Sequence, residues 1–369
     1  MNPLSLAALT VDLSAIRENA RHILSEHPAA GLIPVLKADA YGLGMVPVAK
    51  ALAPLAGVLC FAVAQAQEGV ALRRAGIERD ILILGETLPW QVEAVLQSRL
   101  TPTVARPEDV DTVANAARAL GMTADIQIKF DTGLHRLGVE EATFVPLCER
   151  LAANADAVRP AGAYSHFADP GDAARCEAQY RLFLSLCDRL RQAGFAVPLR
   201  HICDSAASEA YPAYALDAVR IGRRLAWDAP DRPTGQIREA ATLSALVTDV
   251  RLRKAGDRLG YGDGPVLQKD AVIASLGIGY GDGLDPRFAG SLSVLLHGKR
   301  CPVLYLFMDR ALVDVTGAAA SAGDRAVLFG QDETGASLLA QAQASAIGAL
   351  EGCGLTTALL PRVERIYIP

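Results

Sequence analysis

Two lysines lie beside apolar runs that are typical of buried strands. Lys37 follows the run Leu32–Leu36, and Lys129 lies in the alternating segment Ile126–Asp131. Ammonium groups are rare beside a dry strand unless they are paired or reactive, and a desolvated lysine of lowered pKa suits Schiff-base chemistry. From the residues alone, Lys37 could instead extend to solvent and Lys129 could pair with Asp131. Both alternatives stay open at this point.

The residues after Lys37 suit a bound anion. Tyr41 provides a hydroxyl group, and Gly42 and Gly44 let a backbone approach a ligand closely just before a helix that begins near Val46. These neighbours favour a ligand site over a lysine that only reaches for solvent.

Short apolar runs alternate with segments of helical period up to about residue 225. The candidate strands cover 33–37, 58–63, 81–84, 102–105, 125–130, 159–165, 199–203 and 217–221. Helices are predicted over 12–27, 107–120, 140–153 and 173–193. Eight strand–helix alternations predict a (β/α)8 barrel, which keeps its chemistry at the C-terminal ends of its strands.

The pattern changes after Pro233, where short β-rich runs are separated by Gly/Asp turns. These runs are 243–250, 271–276, 292–296, 312–315 and 326–329, and they predict a mostly antiparallel β domain. We therefore expect an α/β protein with a TIM-like barrel over 11–232 and a C-terminal β domain over 233–369, which residues 1–10 could also join.

Composition excludes several classes of protein. The chain of 369 residues has a net charge of −5 and no basic block, which argues against nucleic-acid or anionic-membrane partners. No apolar run is long enough to span a membrane, and no secretory leader is seen at the start. The seven cysteines are widely spaced without a paired CxxC, so we expect neither disulfides nor a metal site, and a cytoplasmic location.

More polar groups follow the later strands, where a barrel would gather them at one rim. They are Arg136, His166, His201, Asp204, Ser205 and Arg220. The motif Gly-Tyr-Gly-Asp-Gly also occurs twice, at 260–264 and at 279–283. Turn chemistry explains its glycines and aspartates but not its tyrosines.

Taken together, these segments resemble the alanine racemase family of pyridoxal 5′-phosphate (PLP) enzymes. The similarity runs from about residue 10 to Tyr367. It is carried by the PLP-lysine segment 36–45, by K-x-D-T-G-x-x-R-x-G at 129–138, by Val219-Arg220-Ile221-Gly222, by 254–262, by 278–283 and by Phe307–Thr316.

The resemblance implies how the cofactor is held. Lys37 would carry PLP, and the further contacts would be Tyr41, His166, His201, Ser205, Arg220, Gly222 and Arg223. Arg220 would face the pyridine nitrogen and, because a guanidinium keeps its proton, would leave that nitrogen unprotonated. Arg223 and Arg224 stand where the family has small apolar residues; they either add a cation at the phosphate or lie on the solvated surface, and the sequence slightly favours the surface.

The resemblance also implies a reaction. Lys37 and Tyr261 would exchange the α-proton on opposite faces, since one base alone mostly regenerates the starting enantiomer. The implied substrate contacts are Arg136 and the Met308 amide at the carboxylate, Tyr280 at the entrance, and Lys129 as a carbamate that orients Arg136. In the family the base tyrosine and the methionine segment come from the partner subunit, so a homodimer with shared active sites is expected.

The chain departs from the family at several positions. Leu43 replaces a histidine, Asp204 an asparagine, and Tyr305 and Phe307 an arginine and a cysteine; Leu350 stands where a phosphate-binding tyrosine belongs. The resemblance implies an alanine racemase, with a racemase or epimerase of a larger amino acid as the alternative because these changes alter the pocket. A non-catalytic PLP carrier and a decarboxylase fit less well.

Overall fold

The computed structural model describes residues 4–228, 235–346 and 353–369. The chain divides into two compact units. One unit holds Arg17–Ala40 and Val48–Leu225, and the other holds Met1–Ile16, Tyr41–Pro47 and Ala226–Pro369. We call them the barrel unit and the β unit.

The strands are numbered in chain order. They are β1 Ala7–Asp12, β2 Gly31–Pro34, β3 Phe61–Val63, β4 Ile81–Ile83, β5 Thr103–Val104, β6 Ala124–Lys129, β7 Val158–Tyr164, β8 Arg200–His201, β9 Ala218–Ile221, β10 Ala241–Arg253, β11 Ala271–Leu276, β12 Ser293–Leu296, β13 Lys299–Leu306, β14 Ala311–Asp314, β15 Arg325–Gln331, β16 Ser337–Leu338 and β17 Glu364–Ile368.

The α-helices are numbered in the same way. They are α1 Leu13–Glu26, α2 Lys37–Tyr41, α3 Met45–Leu52, α4 Ala66–Arg74, α5 Pro89–Gln97, α6 Pro107–Ala119, α7 Phe144–Ala153, α8 Ala173–Gln192, α9 Ser205–Ala210, α10 Ala340–Ala346 and α11 Cys353–Thr357. The segment α2 has a left-handed backbone and is not a true α-helix.

Strands β2 to β9 form the predicted ring of parallel strands. Parallel ladders join β9 to β2, β3 to β4, and β5 through β6 and β7 to β8. Parallel bridges from Val35 to Ala62 and from Leu82 to Thr101 connect these ladders. The Arg220 amide donates to the Cys203 carbonyl at 3.0 Å and closes the ring. All eight predicted barrel strands are present, each within a few residues of its expected bounds.

Local sequence explains where the barrel helices begin. Pro107 occupies the first turn of α6, where no backbone donor is needed. Asp172 caps α8, because its side chain accepts a hydrogen bond from the Arg175 amide. The four helices predicted from periodicity are confirmed, with the segment over 140–153 divided into a short 3-10 turn and α7.

The β unit is built on one mostly antiparallel sheet. Its strand order is β16-β15-β12-β13-β14-β11-β10-β1-β17. The N-terminal strand β1 pairs antiparallel with β10 and parallel with β17. The five predicted β runs are confirmed, whereas β1, β13, β16 and β17 were not predicted as strands. Pro302 and the charged pair Lys299-Arg300 in β13 hide its strand pattern.

Within the ranges that the structure describes, none of the helices is long and apolar enough to cross a lipid bilayer.

Candidate active site

Lys37 lies at the rim of the barrel, just beyond β2. That strand ends at Pro34, three residues earlier than predicted, although Val35 still bridges to the next strand. The Lys37 side chain is exposed in this chain, contrary to the expectation of a desolvated lysine. Any exclusion of water from its amine therefore needs groups beyond those that pack around it here.

The backbone after Lys37 is left-handed over four non-glycine residues. Ala38, Asp39, Ala40 and Tyr41 have φ values of 52, 56, 54 and 58°. Such a conformation costs about 1–2 kcal/mol per residue, so it needs fixed partners. Within the barrel unit, the Ala38 amide donates to Glu68 at 2.7 Å. The Ala40 amide donates to the Leu36 carbonyl at 2.8 Å.

Gly42 and Gly44 allow close packing of this segment against the C-terminal part of the chain, in addition to the ligand contact that the sequence suggested. Their φ values are +81 and +95°. A Cβ on Gly42 would overlap the carbonyl of Thr356, and one on Gly44 would overlap the Tyr367 hydroxyl. The Thr356 hydroxyl also donates to the Tyr41 carbonyl at 2.7 Å. The glycines therefore fix the Tyr41 segment onto the β unit to which it belongs.

Arg220 is the centre of a buried hydrogen-bond network at the strand ends. Its Nη1 lies 2.9 Å from Nδ1 of His201, and its Nη2 lies 2.9 Å from Nδ1 of His166. Nη2 also donates to the carbonyls of Ser165 and Ile202. Because a guanidinium can only donate, both Nδ1 atoms must accept, and each imidazole carries its proton on Nε2.

The outer nitrogens of the two histidines agree with these tautomers. Nε2 of His201 lies 2.7 Å from Oε1 of Gln127, an acceptor. Nε2 of His166 lies 3.7 Å from Oδ2 of Asp204. Burial and the Arg220 charge lower the pKa of both histidines, and Asp204 opposes this only at His166. The pair is thus held neutral around a permanent cation.

Ser205 and Gly222 lie together beyond the ends of β8 and β9. The Gly222 amide donates to the Ser205 hydroxyl at 3.4 Å, and both residues are buried. Asp204 caps α9 by accepting a hydrogen bond from the Ala207 amide at 2.9 Å. The Asp204 carboxylate is therefore committed to the helix start beside Ser205, while its second oxygen faces His166.

The expectation that Arg223 and Arg224 lie on the surface is wrong. Arg223 is buried next to Gly222, and Arg224 has a fully buried side chain. Arg224 forms ion pairs with Glu26 and Glu209, at 2.6 Å in each case. A buried guanidinium needs such partners, and the sequence could not show that two distant glutamates supply them.

Lys129 is buried on the strand that faces this network. Burial, followed by the charges of Arg136 and Arg220, lowers its pKa to about 8. The proposed pairing with Asp131 is not formed among the described residues. Asp131 instead accepts the amides of Gly133, Leu134 and His135 at 2.9, 3.0 and 3.0 Å. Arg136, which follows this turn, is exposed.

These groups fit PLP by their chemistry. Ser205, Gly222 and Arg223 offer a hydroxyl, an amide and a cation for the phosphate. Arg220 offers a donor that cannot lose its proton, and Lys37 offers a primary amine at the same rim. All five belong to the barrel unit.

The remaining predicted residues lie on the β unit. The exposed fractions of Tyr261, Tyr280 and Met308 are 77, 42 and 59%. The twin Gly-Tyr-Gly-Asp-Gly motifs have different structures. Tyr261 lies in an irregular loop, whereas Tyr280 begins a 3-10 turn whose amide donates to the Phe307 carbonyl. Leu350 lies outside the described residues.

Comparison with known protein families identifies two matching domains. Residues 11–230 match the alanine racemase N-terminal domain, and residues 240–367 match the alanine racemase C-terminal domain. The chain belongs to the alanine racemase family. The predicted barrel-plus-β fold, an isomerase activity and the PLP cofactor are thereby confirmed.

Individual alanine racemases cover nearly the whole chain. The enzyme of Desulfovibrio desulfuricans is 35% identical over 367 residues, covering 97% of each chain. The crystal structure from Streptomyces lavendulae superposes with a TM-score of 0.92 at 31% identity, covering 99% of this chain and 97% of that one. The alanine racemase of Bacillus anthracis with bound L-Ala-P gives a TM-score of 0.92 at 28% identity, covering 100% and 96%.

Sequence reasoning missed several supporting residues of the alanine racemase site. Gln127 lies in the alternating segment Ile126–Asp131 but was not expected at His201. Glu26 and Glu209 were not linked to Arg224. Strand alternation places Gln127 on the same face as Lys129, so the sequence pattern could have indicated that Gln127 points into the barrel. The glutamates gave no signal, because they depend on tertiary contacts.

Proposed function

We propose that this chain is a PLP-dependent racemase that interconverts L- and D-alanine by two-base transfer of the α-proton. The observation that carries the proposal is the buried Arg220, whose guanidinium donates to His166 and His201 beside Ser205 and Gly222. Such a site offers a cofactor ring a fixed cationic donor that keeps its proton. It also offers the phosphate of the cofactor a set of polar groups.

The residues of the barrel unit would hold the cofactor in stated ways. Lys37 would carry it through its amine, and Ser205, Gly222 and Arg223 would bind the phosphate. Tyr41 is a further proposed phosphate contact. When bound, PLP supplies an electron-withdrawing group that acidifies the α-proton of the attached amino acid. The histidines keep the Arg220 side chain in place, so its donor direction is fixed before substrate arrives.

Two bases on opposite faces would move the α-proton. We assign these roles to the Lys37 amine and the Tyr261 hydroxyl. Inversion requires a donor on one face and an acceptor on the other, because a single base returns the proton to the face it left. Lys37 belongs to the barrel unit and Tyr261 to the β unit.

We further propose a homodimer in which each β unit serves the partner's barrel. The support is exposure: Tyr261, Tyr280 and Met308 are all more than one third exposed on this chain. Exposed apolar surface that is contiguous commonly marks a protein–protein or ligand-binding site. A partner over the rim would also exclude water from Lys37, which one chain leaves exposed.

Lys129 is proposed to be carbamylated and to orient Arg136 at the substrate carboxylate. Within residues 4–228, 235–346 and 353–369, neither side chain forms an ion pair, and the two cations repel each other. A pKa of about 8 leaves roughly a tenth of the Lys129 amine neutral at pH 7, and only the neutral amine adds to CO2. The carbamate replaces one of two repelling cations by an anion that Arg136 can bind.

A cytoplasmic location and the domain division at 232/233 also remain our proposals. Six cysteines are free thiols, which suits a reducing compartment; they are Cys60, Cys148, Cys176, Cys187, Cys203 and Cys301. The matched family regions end at 230 and restart at 240, which supports a boundary in this interval.

The decisive experiment assays the purified, PLP-loaded protein against a panel of L-amino acids by chiral chromatography. We expect D-alanine to form fastest, and Lys37→Ala to abolish all racemisation. Lys50→Ala is the matched control, since Lys50 is an exposed lysine on α3. Faster racemisation of a larger amino acid would favour the alternative substrate instead. Equal activity in Lys37→Ala would reject the assignment of Lys37.

A further inference from the structure

The loop that carries Tyr261 is tied together by its own backbone and one arginine. Within the β unit, the Leu259 amide donates to the Pro265 carbonyl at 2.9 Å, and the Gly264 amide donates to the Tyr261 carbonyl at 3.0 Å. Nη1 of Arg258 donates to the Gly264 carbonyl at 2.9 Å. These bonds close the loop, but none of them fixes the direction of the Tyr261 ring.

Tyr305 on β13 contacts the loop that carries Tyr261. Its hydroxyl accepts a hydrogen bond from the Tyr261 amide at 3.2 Å. Its ring packs against Gly260, where a Cβ would overlap the ring and where φ is +79°. Only glycine fits both this contact and this backbone conformation. Tyr305 therefore fixes the backbone from which the Tyr261 side chain extends.

Phe307 contacts the Tyr261 ring itself. The two ring centroids lie 5.3 Å apart at an interplanar angle of 89°, which is an edge-to-face arrangement. The Phe307 ring also meets the Tyr305 ring at 5.0 Å and 62°. The Tyr261 side chain is 77% exposed, and Phe307 provides its edge-to-face ring contact.

The strand end at Phe307 also carries the proposed substrate contacts. The Tyr280 amide donates to the Phe307 carbonyl at 3.0 Å, and the Gly281 amide donates to the Met308 carbonyl at 2.7 Å. Tyr261, Tyr280 and Met308 are thus connected through a single short stretch of backbone that follows β13.

We propose that Tyr305 and Phe307 are positioning residues that fix the Tyr261 hydroxyl for proton transfer on one face of the substrate. This inference rests on the proposed role of Tyr261 as a base. A base must reach its proton within hydrogen-bond distance, and a displacement of about 1 Å can cost on the order of 100-fold in rate. Tyr305 fixes the backbone at Tyr261 and Phe307 packs against its ring before any partner or substrate binds.

The test measures solvent deuterium incorporation at the α-carbon, separately from L- and D-alanine, in the PLP-loaded holoenzyme. Tyr261→Phe identifies the enantiomer that depends on Tyr261. We expect Phe307→Leu to slow deuterium exchange of that enantiomer by about 10-fold or more, and Tyr305→Phe to slow it by about 3-fold. In both variants, exchange of the other enantiomer should change by less than about 2-fold. Phe329→Leu is the control, because it removes a buried ring of the same unit at β15.

A second readout does not depend on turnover. In protein labelled with 3-fluorotyrosine, we expect the 19F resonance of Tyr261 to shift and to sharpen in Phe307→Leu, as rotation of the ring becomes less restricted. The Tyr261→Phe variant assigns that resonance. An unchanged Tyr261 resonance in Phe307→Leu would reject the positioning role, because it would show that the ring is held by other contacts.

The outcomes separate the inference from the function on which it rests. If Tyr261→Phe leaves exchange of both enantiomers unchanged, the base assignment fails, and with it the need for positioning. If Tyr261→Phe slows one enantiomer but Phe307→Leu slows both equally or neither, the base assignment stands and the inference about Phe307 and Tyr305 is wrong. The inference would also be wrong if Phe329→Leu slowed exchange of the same single enantiomer. Slowing of one enantiomer could then arise from general destabilisation of the β unit rather than from loss of the Phe307 contact.

Discussion

Nη1 of Arg220 lies 2.9 Å from Nδ1 of His201, and this contact settles where both residues carry their protons. A guanidinium offers donors only, so the imidazole accepts at Nδ1 and keeps hydrogen on Nε2, where Gln127 accepts it. The Arg220 guanidinium is therefore held by two neutral imidazoles, those of His166 and His201.

His201 should stay neutral at mildly acidic pH, where an ordinary histidine becomes protonated, because burial and the Arg220 charge both lower its pKa. Heteronuclear NMR of histidine-labelled protein should show the Nε2–H tautomer throughout. His297 is the internal contrast, since hydrogen bonds to Asp324 and Glu333 raise its pKa. Protonation of His201 at a higher pH than His297 would contradict the assigned network.

Lys129→Ala should raise KM for alanine by about 10-fold while changing kcat less, since the carbamate orients Arg136 for binding. With 13C-bicarbonate, a carbamate resonance should appear in the parent enzyme and be absent in Lys129→Ala. Lys254→Ala is the control, because Lys254 is an exposed lysine paired with Asp270. The same resonance in Lys129→Ala would show that another amine reacts.

Asp204→Asn should strengthen PLP binding by about 2–5-fold. The substitution removes a negative charge next to Ser205, whereas an amide oxygen can still accept from the Ala207 amide and cap α9. Equilibrium dialysis of the apo-protein measures the change. Asp204→Ala separates charge from capping, since it removes both and should cost about 1 kcal/mol of stability. Weaker binding by Asp204→Asn would mean that the carboxylate itself supports the site.

The barrel could be predicted from sequence because each strand and helix has its own local pattern. The polar groups at the rim follow from that topology, since every C-terminal strand end lies on one side. Exposure could not be predicted in the same way. Lys37 was expected to be desolvated, yet it lies beyond the end of β2 and is exposed on the single chain.

Long-range partners explain the other error. Arg224 reads as a surface residue from its neighbours, but its charge is balanced by Glu26, which precedes it by 198 residues. Tyr305 likewise reads as a strand residue, and its contact with the Tyr261 amide spans 44 positions. No local pattern encodes such pairs, so they appear only once the fold brings the two segments together.

Arg224→Leu should lower the free energy of unfolding by about 3–5 kcal/mol, because it leaves Glu26 and Glu209 without their buried cation. Denaturant titration measures the loss. Arg159→Ala should cost much less stability than Arg224→Leu, since the ion pair of Arg159 with Asp125 is exposed. Equal losses in the two variants would show that the buried pairs contribute no more than a surface pair.

Glu239→Gln should stabilise the protein at neutral and alkaline pH but not in acid. Burial raises the pKa of Glu239 to about 7 from its ordinary 4.5, so the folded state loses stability as pH rises through this interval. Glutamine cannot ionise, yet it can still accept from the Ala340 amide. The gain should be at most about 3 kcal/mol above pH 7 and should vanish near pH 4, as followed by unfolding at several pH values.

Asp270→Asn provides the control of opposite sign for Glu239→Gln. The hydrogen bond from Lys254 lowers the pKa of Asp270, so its contribution is present at neutral pH and is lost as pH falls below its ordinary range. This exposed variant should therefore lose a little stability at pH 7 and none in strong acid. A gain of stability in both variants at pH 7 would point to the shared loss of one negative charge rather than to burial of Glu239.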